Sequence, residues 1–145
     1  MEVNVWKLQL VKESDTRYNE SVTGSQAVVE LLRNIGLDRE PEEVVMLLCF
    51  NNRNKIVGVH EISRGTVNAS ICVPRDVYKR ALLNNANGII VCHNHPSGET
   101  DPSREDMDTA KALKEAGKLL KISLLDFIVL GESGEYRSFE NAGIL

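Results

Sequence analysis

Apolar and polar positions change period several times along the chain, and each change marks an element. Residues Val3 to Leu10 (VNVWKLQL) alternate as a strand does, and the polar stretch Lys12 to Asn19 reads as a loop. Ser25 then offers an N-cap to a helix whose apolar stripe is Ala27, Val28, Leu31 and Leu32, with Gly36 as its left-handed stop. Glu43 to Phe50 (EVVMLLCF) is almost continuously apolar, NNRN makes a turn, and Lys55 to Ser63 (KIVGVHEIS) returns as an antiparallel partner, so a hairpin is predicted. A short strand is expected over Val67 to Val73, followed by a helix that starts at Pro74 and runs through Asn84. Gly88 to Cys92 (GIIVC) reads as a short buried strand, the next eleven positions (HNHPSGETDPS) as a loop, and Ser103 as the start of the last long helix. That helix carries Asp106, Ala110, Leu113, Gly117 and Leu120 on one stripe, and a strand over Leu124 to Leu130 and a Gly-rich turn toward Tyr136 close the chain. With no repeat or linker between these elements, residues 1–145 read as a single α+β or three-layered domain.

Composition narrows the class without naming a function. A chain of 145 residues with 42% hydrophobic and 26% charged positions is ordinary for a globular domain, which excludes disorder and collagen-like repeats. Its apolar runs fall far short of the roughly 18 residues that span a bilayer, so no membrane partner is expected. The first ten residues lack a basic segment followed by an apolar stretch, and Cys49, Cys72 and Cys92 lie dispersed in apolar runs; together they predict a cytoplasmic protein with buried free thiols. A formal charge of −4 gives no global attraction to nucleic acid, and the cluster Arg75, Lys79 and Arg80 reads as a solvated helix face. Nothing in the pattern sets an oligomeric state.

The chemistry concentrates in His93 to Asp106 (HNHPSGETDPSRED). On an extended backbone, residues two apart share a face about 6.6 Å apart, so His93 and His95 can reach one ion at about 2.0 Å. Pro96 favours that extended geometry at His95, while Cys92 points the other way. Asp106, on the inward stripe of its helix, is the best third ligand, although Ser103 and Asp106 equally fit a capping box; Asp101 is a rival ligand from the loop. Two imidazoles and a carboxylate leave one position open on tetrahedral zinc, as in a catalytic site. A hydrolase also needs a proton carrier. Glu61, in phase with Val57 and Val59 on an apolar strand face, is the candidate general base, with an exposed strand glutamate as the alternative. His60 reads as structural, because Arg64 stands where a helical HExxH motif needs its second histidine.

These residues resemble a known family. The pattern HxHPSGxxxPSxxD, here His93, His95, Ser103 and Asp106, is similar to the JAMM motif of MPN (JAB) metalloproteases. The segments EISRGTVNAS, PRDVYKRALLNNANGIIVCHNHPSGETDPSRED and LLDFIVLG resemble its bacterial RadC-like branch, and the likeness covers about two thirds of the chain. The resemblance implies a twisted, mainly antiparallel sheet flanked by helices, in a layout similar to that of cytidine deaminases. It also implies a zinc (Zn2+) metallopeptidase or isopeptidase acting on a peptide or protein substrate. His93, His95 and Asp106 would be ligands, Glu61 the proton shuttle, and Ser103 the group that steadies the tetrahedral intermediate. A non-catalytic binding module and a DNA-repair accessory are the other readings, the latter resting on the branch's name. The sequence departs from the RadC-like pattern in showing no helix-hairpin-helix region, and in having Val73 and Phe127 where histidines are expected.

Overall fold

The computed structural model describes residues 1–17, 24–65 and 72–145. The apolar run at Val44–Phe50 forms strand β1, which lacks polar alternation because both of its faces are covered. The chain turns back into β2 (Ile56–Arg64) around Asn51, whose Oδ1 accepts from the amides of Arg53 and Lys55 at 2.9 and 3.0 Å, while Asn54 takes a left-handed φ of 56°. With β3 (Gly88–Asn94), β4 (Ser123–Leu130) and β5 (Tyr136–Ser138) these strands form one sheet in the order β2-β1-β3-β4-β5. Only β3 and β4 pair in parallel, and the crossover that a parallel step requires is helix α3 (Arg104–Leu120).

Helices cover both faces. Helix α1 (Gly24–Asn34) packs Val28, Val29, Leu31 and Leu32 against Leu48, Ile90, Cys92 and Ile128. On the opposite face α2 (Pro74–Leu83) and α3 bring Val77, Tyr78, Ala110 and Leu113 against Val45, Leu47, Val91 and Val129. Leu32, Leu47, Leu48 and Leu113 are each 0% exposed, and burying a side chain of that size stabilises by about 1.5–3 kcal/mol. The architecture is the three-layered, mostly antiparallel α/β arrangement expected for a JAB/MPN fold. All three cysteines are buried free thiols; burial pushes Cys49 and Cys72 up to about 12 and Cys92 well above its ordinary value, so none is a ready nucleophile.

Several elements differ from the sequence reading. Val3 to Leu10 alternates but forms no strand, because among the described residues it has no neighbour to pair with. Ser25 is the second residue of α1 rather than its cap, and the buried stripe of α3 ends at Gly117, leaving Leu120 41% exposed. Strand β3 does not stop at Cys92: paired to β1 and β4, it runs on to Asn94, so His93 is a strand residue. The strand expected at Val67 to Val73 falls mainly on 66–71, outside the described residues, and Val73 is the extended N-cap ahead of Pro74.

Gly117 sets how closely α3 approaches its surroundings. A Cβ there would lie 2.3 Å from the Ile122 carbonyl oxygen and 2.5 Å from the Tyr78 hydroxyl, which itself donates to the Leu113 carbonyl at 2.6 Å. In an open helix Gly→Ala gains about 1 kcal/mol. Here Gly117→Ala is expected instead to lower stability by about 1–3 kcal/mol through overpacking, measured as a fall in the urea midpoint.

Candidate metal centre

Register decides which side chains can meet. His93 pairs with Val45 on β1 and Val129 on β4, and this row faces α2 and α3, whereas Cys92 pairs with Met46 and Ile128 in a row that faces α1. Carried two residues beyond the Val45–His93 pair, the antiparallel register brings Glu43 level with His95 on the histidine face. The His95 amide donates to the Leu130 carbonyl at 2.8 Å, which keeps the chain extended, and the turn after it closes with Gly98 donating to the His95 carbonyl at 2.9 Å. The crossover then places the first turn of α3 over the same face, with Asp106 as its buried residue.

Two histidines and two carboxylates converge there. His93 Nδ1 lies 2.8 Å from Glu43 Oε1 and its Nε2 2.8 Å from Asp106 Oδ1, while His95 Nε2 is 3.3 Å from Asp106 Oδ2. The imidazoles stand edge to face with centroids 4.7 Å apart, and Phe127 packs on His93 at 5.5 Å. His95 Nδ1 donates to the Glu99 carbonyl at 2.9 Å, so in the neutral ring Nε2 carries a lone pair. A cation between that nitrogen and the Asp106 carboxylate would satisfy both. Both His93 nitrogens are buried and close to carboxylates, yet neither has a partner in hydrogen-bond geometry, so proximity here is convergence rather than directed bonding. Ligand atoms of Glu43, His93 and His95 all lie within 4.8 Å of one another. This set of imidazoles and carboxylates fits zinc.

Asp106 takes both parts foreseen for it as alternatives, capping the helix and facing the histidines. Ser103 Oγ accepts from the Asp106 amide at 3.1 Å and the Ser103 amide donates to Asp106 Oδ2 at 2.8 Å, a reciprocal box that orients the carboxylate toward both rings. Two residues escaped the sequence reading. Glu43 was visible only as the start of an apolar run, and its face depends on strand pairing. Asn94, between the histidines and 3% exposed, accepts from the Val44 amide at 2.7 Å and donates to the carbonyls of Glu42 and Glu40 at 2.8 and 3.3 Å. It thus ties the backbone on both sides of Glu43 to the strand that carries His93.

Glu61 is not at this centre. Cys92, Met46 and Glu61 form one cross-strand row, so Glu61 lies on the sheet face opposite to His93. Its side chain is 45% exposed and pairs with Arg64 at 2.5 Å, which also holds Glu40 at 2.7 Å. The expected phase with Val57 and Val59 holds for Val59, but a bulge at Val57 leaves that residue 44% exposed, and phase does not say which face points to the site. His60 is structural, bonded to Asn84 at the end of α2. Asp101 is turned outward, 84% exposed and paired with Arg137 at 3.2 Å. In the basic cluster of α2, Lys79 pairs with Asp76 at 3.5 Å and Arg80 donates to the Asp76 carbonyl at 2.7 Å.

A family model described as RadC-like JAB domain matches residues 22–144. The chain belongs to the RadC-like JAB family. It is 40% identical over 145 residues to a UPF0758 protein of Pseudomonas syringae pv. tomato, spanning 96% of this chain and 64% of that one. A UPF0758 protein of Caldanaerobacter subterraneus is 45% identical over 116 residues (79% of this chain, 48% of the relative), and one of Clostridium tetani 41% over 104 residues (72% and 45%). The chain therefore spans roughly half to two thirds of the length of these relatives.

In this RadC-like JAB domain the charges of the centre favour a cation. Burial pulls the His93 pKa down, but the contacts with Asp106 and Glu43 outweigh it and lift the value from 6.5 to about 9. Burial pushes Asp106 up, yet His93, His95 and the Ser103 amide hold its carboxyl far below its ordinary value. Without metal, His93 is an imidazolium at neutral pH, and a metal must displace its proton. Because the folded pKa of His93 is raised, its contribution to stability is complete below pH 6.5 and lost as pH climbs through about 9. The depressed Asp106 contributes above pH 3.8 and loses that contribution on acidification. Thermal unfolding of chelator-treated protein should therefore show Tm falling between pH 6.5 and about 9, and added zinc should remove that fall. Asn94→Ala should cost about 1–3 kcal/mol for each buried group left unpaired and weaken zinc binding in calorimetry.

Proposed function

We propose that this domain is a zinc-dependent hydrolase of peptide or isopeptide bonds, with a peptide or protein as substrate. The observation that carries the reading is the convergence of His93, His95, Asp106 and Glu43 around buried ring nitrogens that lack directed partners. His93, His95 and Asp106 would hold the metal, and Glu43 takes the part the sequence had assigned to Glu61. Bound there, zinc would supply Lewis-acid chemistry, polarising a carbonyl and lowering the pKa of water from 15.7 to about 7. Glu43 accepts the proton of the attacking water and returns it to the leaving amine. Ser103 uses a lone pair on the Asp106 amide, so its hydroxyl proton is free to donate to the oxyanion. The Glu99 carbonyl fixes the His95 ring, and Phe127 covers one flank of His93, where a drier site strengthens every charge interaction. Buried, unreactive thiols suit residence in a reducing cytoplasm.

Metal content by mass spectrometry, measured on wild type and on His95→Ala, Asp106→Ala, Glu43→Gln and Glu61→Gln, tests the assignment. About one zinc per chain is expected in wild type and both Gln variants, and none in the Ala variants. Hydrolysis of a peptide and isopeptide panel should fall about 10²–10⁴-fold in Glu43→Gln and stay unchanged in Glu61→Gln. Full activity in Glu43→Gln would remove the role given to that carboxylate.

A further inference from the structure

Two unsatisfied features of this chain match each other. The first is the arm Val3 to Leu10, which has the alternation of a strand but none of its pairing: Val3, Val5, Trp6 and Leu8 are 80%, 96%, 83% and 81% exposed. A lone strand has no stability in water, and soluble chains seldom leave a contiguous apolar stretch of this kind bare. The second is the outer edge of β2. It is the outermost strand on its side and nine residues long, whereas β5 at the other edge has three. Among the described residues no strand pairs with that edge, and Val57 on it is 44% exposed.

Beside the edge lies a cavity of about 1270 Å³. Leu31, Ile35, Met46 and Val59 give it an apolar lining, Glu40 and Glu61 lie among its polar groups, and the chain's own Leu10–Thr16 stretch contributes another wall. It is larger than the roughly 300–1,000 Å³ of small-ligand pockets and suits a length of extended chain. We propose that the arm of one copy adds as a strand to the β2 edge of a second copy, and the reverse, giving a closed two-fold dimer. The lengths agree, since eight extended residues span about 27 Å and the strand they meet has nine. The apolar side chains of the arm, which is polar only at Asn4, Lys7 and Gln9, meet Leu31, Ile35, Met46 and Val59 in a groove of mixed lining, where Glu40 and Glu61 are held by Arg64. Each copy supplies one donor and one acceptor, so reciprocal exchange leaves neither unsatisfied. An arm and an edge from each copy approach the roughly 20 residues a side of a specific interface. The histidines, at the end of β3, are separated from that edge by β1 and stay open.

Trp6 is the chain's single tryptophan and reports on the arm directly. Sedimentation of the 145-residue chain at micromolar concentration should give twice the chain mass, and dilution should halve it while Trp6 emission shifts to the red. Trp6→Glu combined with Leu8→Glu should be monomeric with unchanged far-UV circular dichroism, and Val57→Lys should weaken the dimer at least tenfold. A monomeric wild type overturns the proposal, including one whose blue-shifted Trp6 shows the arm folded on its own edge. A dimer that survives either the arm or the edge variant overturns it as well.

Discussion

The Asp106 carboxylate joins the two parts of the molecule that have to meet for the centre to exist. One of its oxygens accepts the Ser103 amide and faces His95, the other faces His93, so the start of α3 is pinned over the end of β3. Helix α3 is also the crossover between the parallel pair β3 and β4, and its buried stripe packs on the sheet. The fold thus delivers a carboxylate to two imidazoles through the same contacts that close the helix end. Removing that carboxylate would leave an orphaned helix terminus and a buried imidazolium together, which couples the chemistry of the site to its stability.

A second carboxylate is delivered by the strands. Antiparallel pairing of β1 with β3 brings Glu43 level with the histidines, and Asn94 secures the peptide groups on both sides of it. The two carboxylates flank a buried ring and together favour a cation there. A proton on His93 serves in the metal-free chain, held by the carboxylates on either side of the ring. A divalent metal would do the same with more charge, displacing that proton.

How much of this was legible in the sequence follows from how far apart the cooperating residues lie. His93, His95, Ser103 and Asp106 fall within one short stretch, where extended spacing and a capping box are local geometry, and their arrangement was readable in advance. Glu43 lies fifty positions before His93, and only the strand order reveals that the two share a face. Glu61 shows the converse failure: its alternation with Val59 was real, but the row through Met46 to Cys92 turns that face away from the histidines. The arm at Val3 to Leu10 failed for another reason. A strand is a relation between two segments, and its pattern names no partner.

X-ray absorption at the zinc edge on the reconstituted 145-residue chain tests the central claim most directly, because it counts the atoms around the metal. The account predicts two imidazole nitrogens at about 2.0–2.1 Å with the remaining ligands oxygen. A shell containing sulfur, or one of oxygen alone, would contradict it.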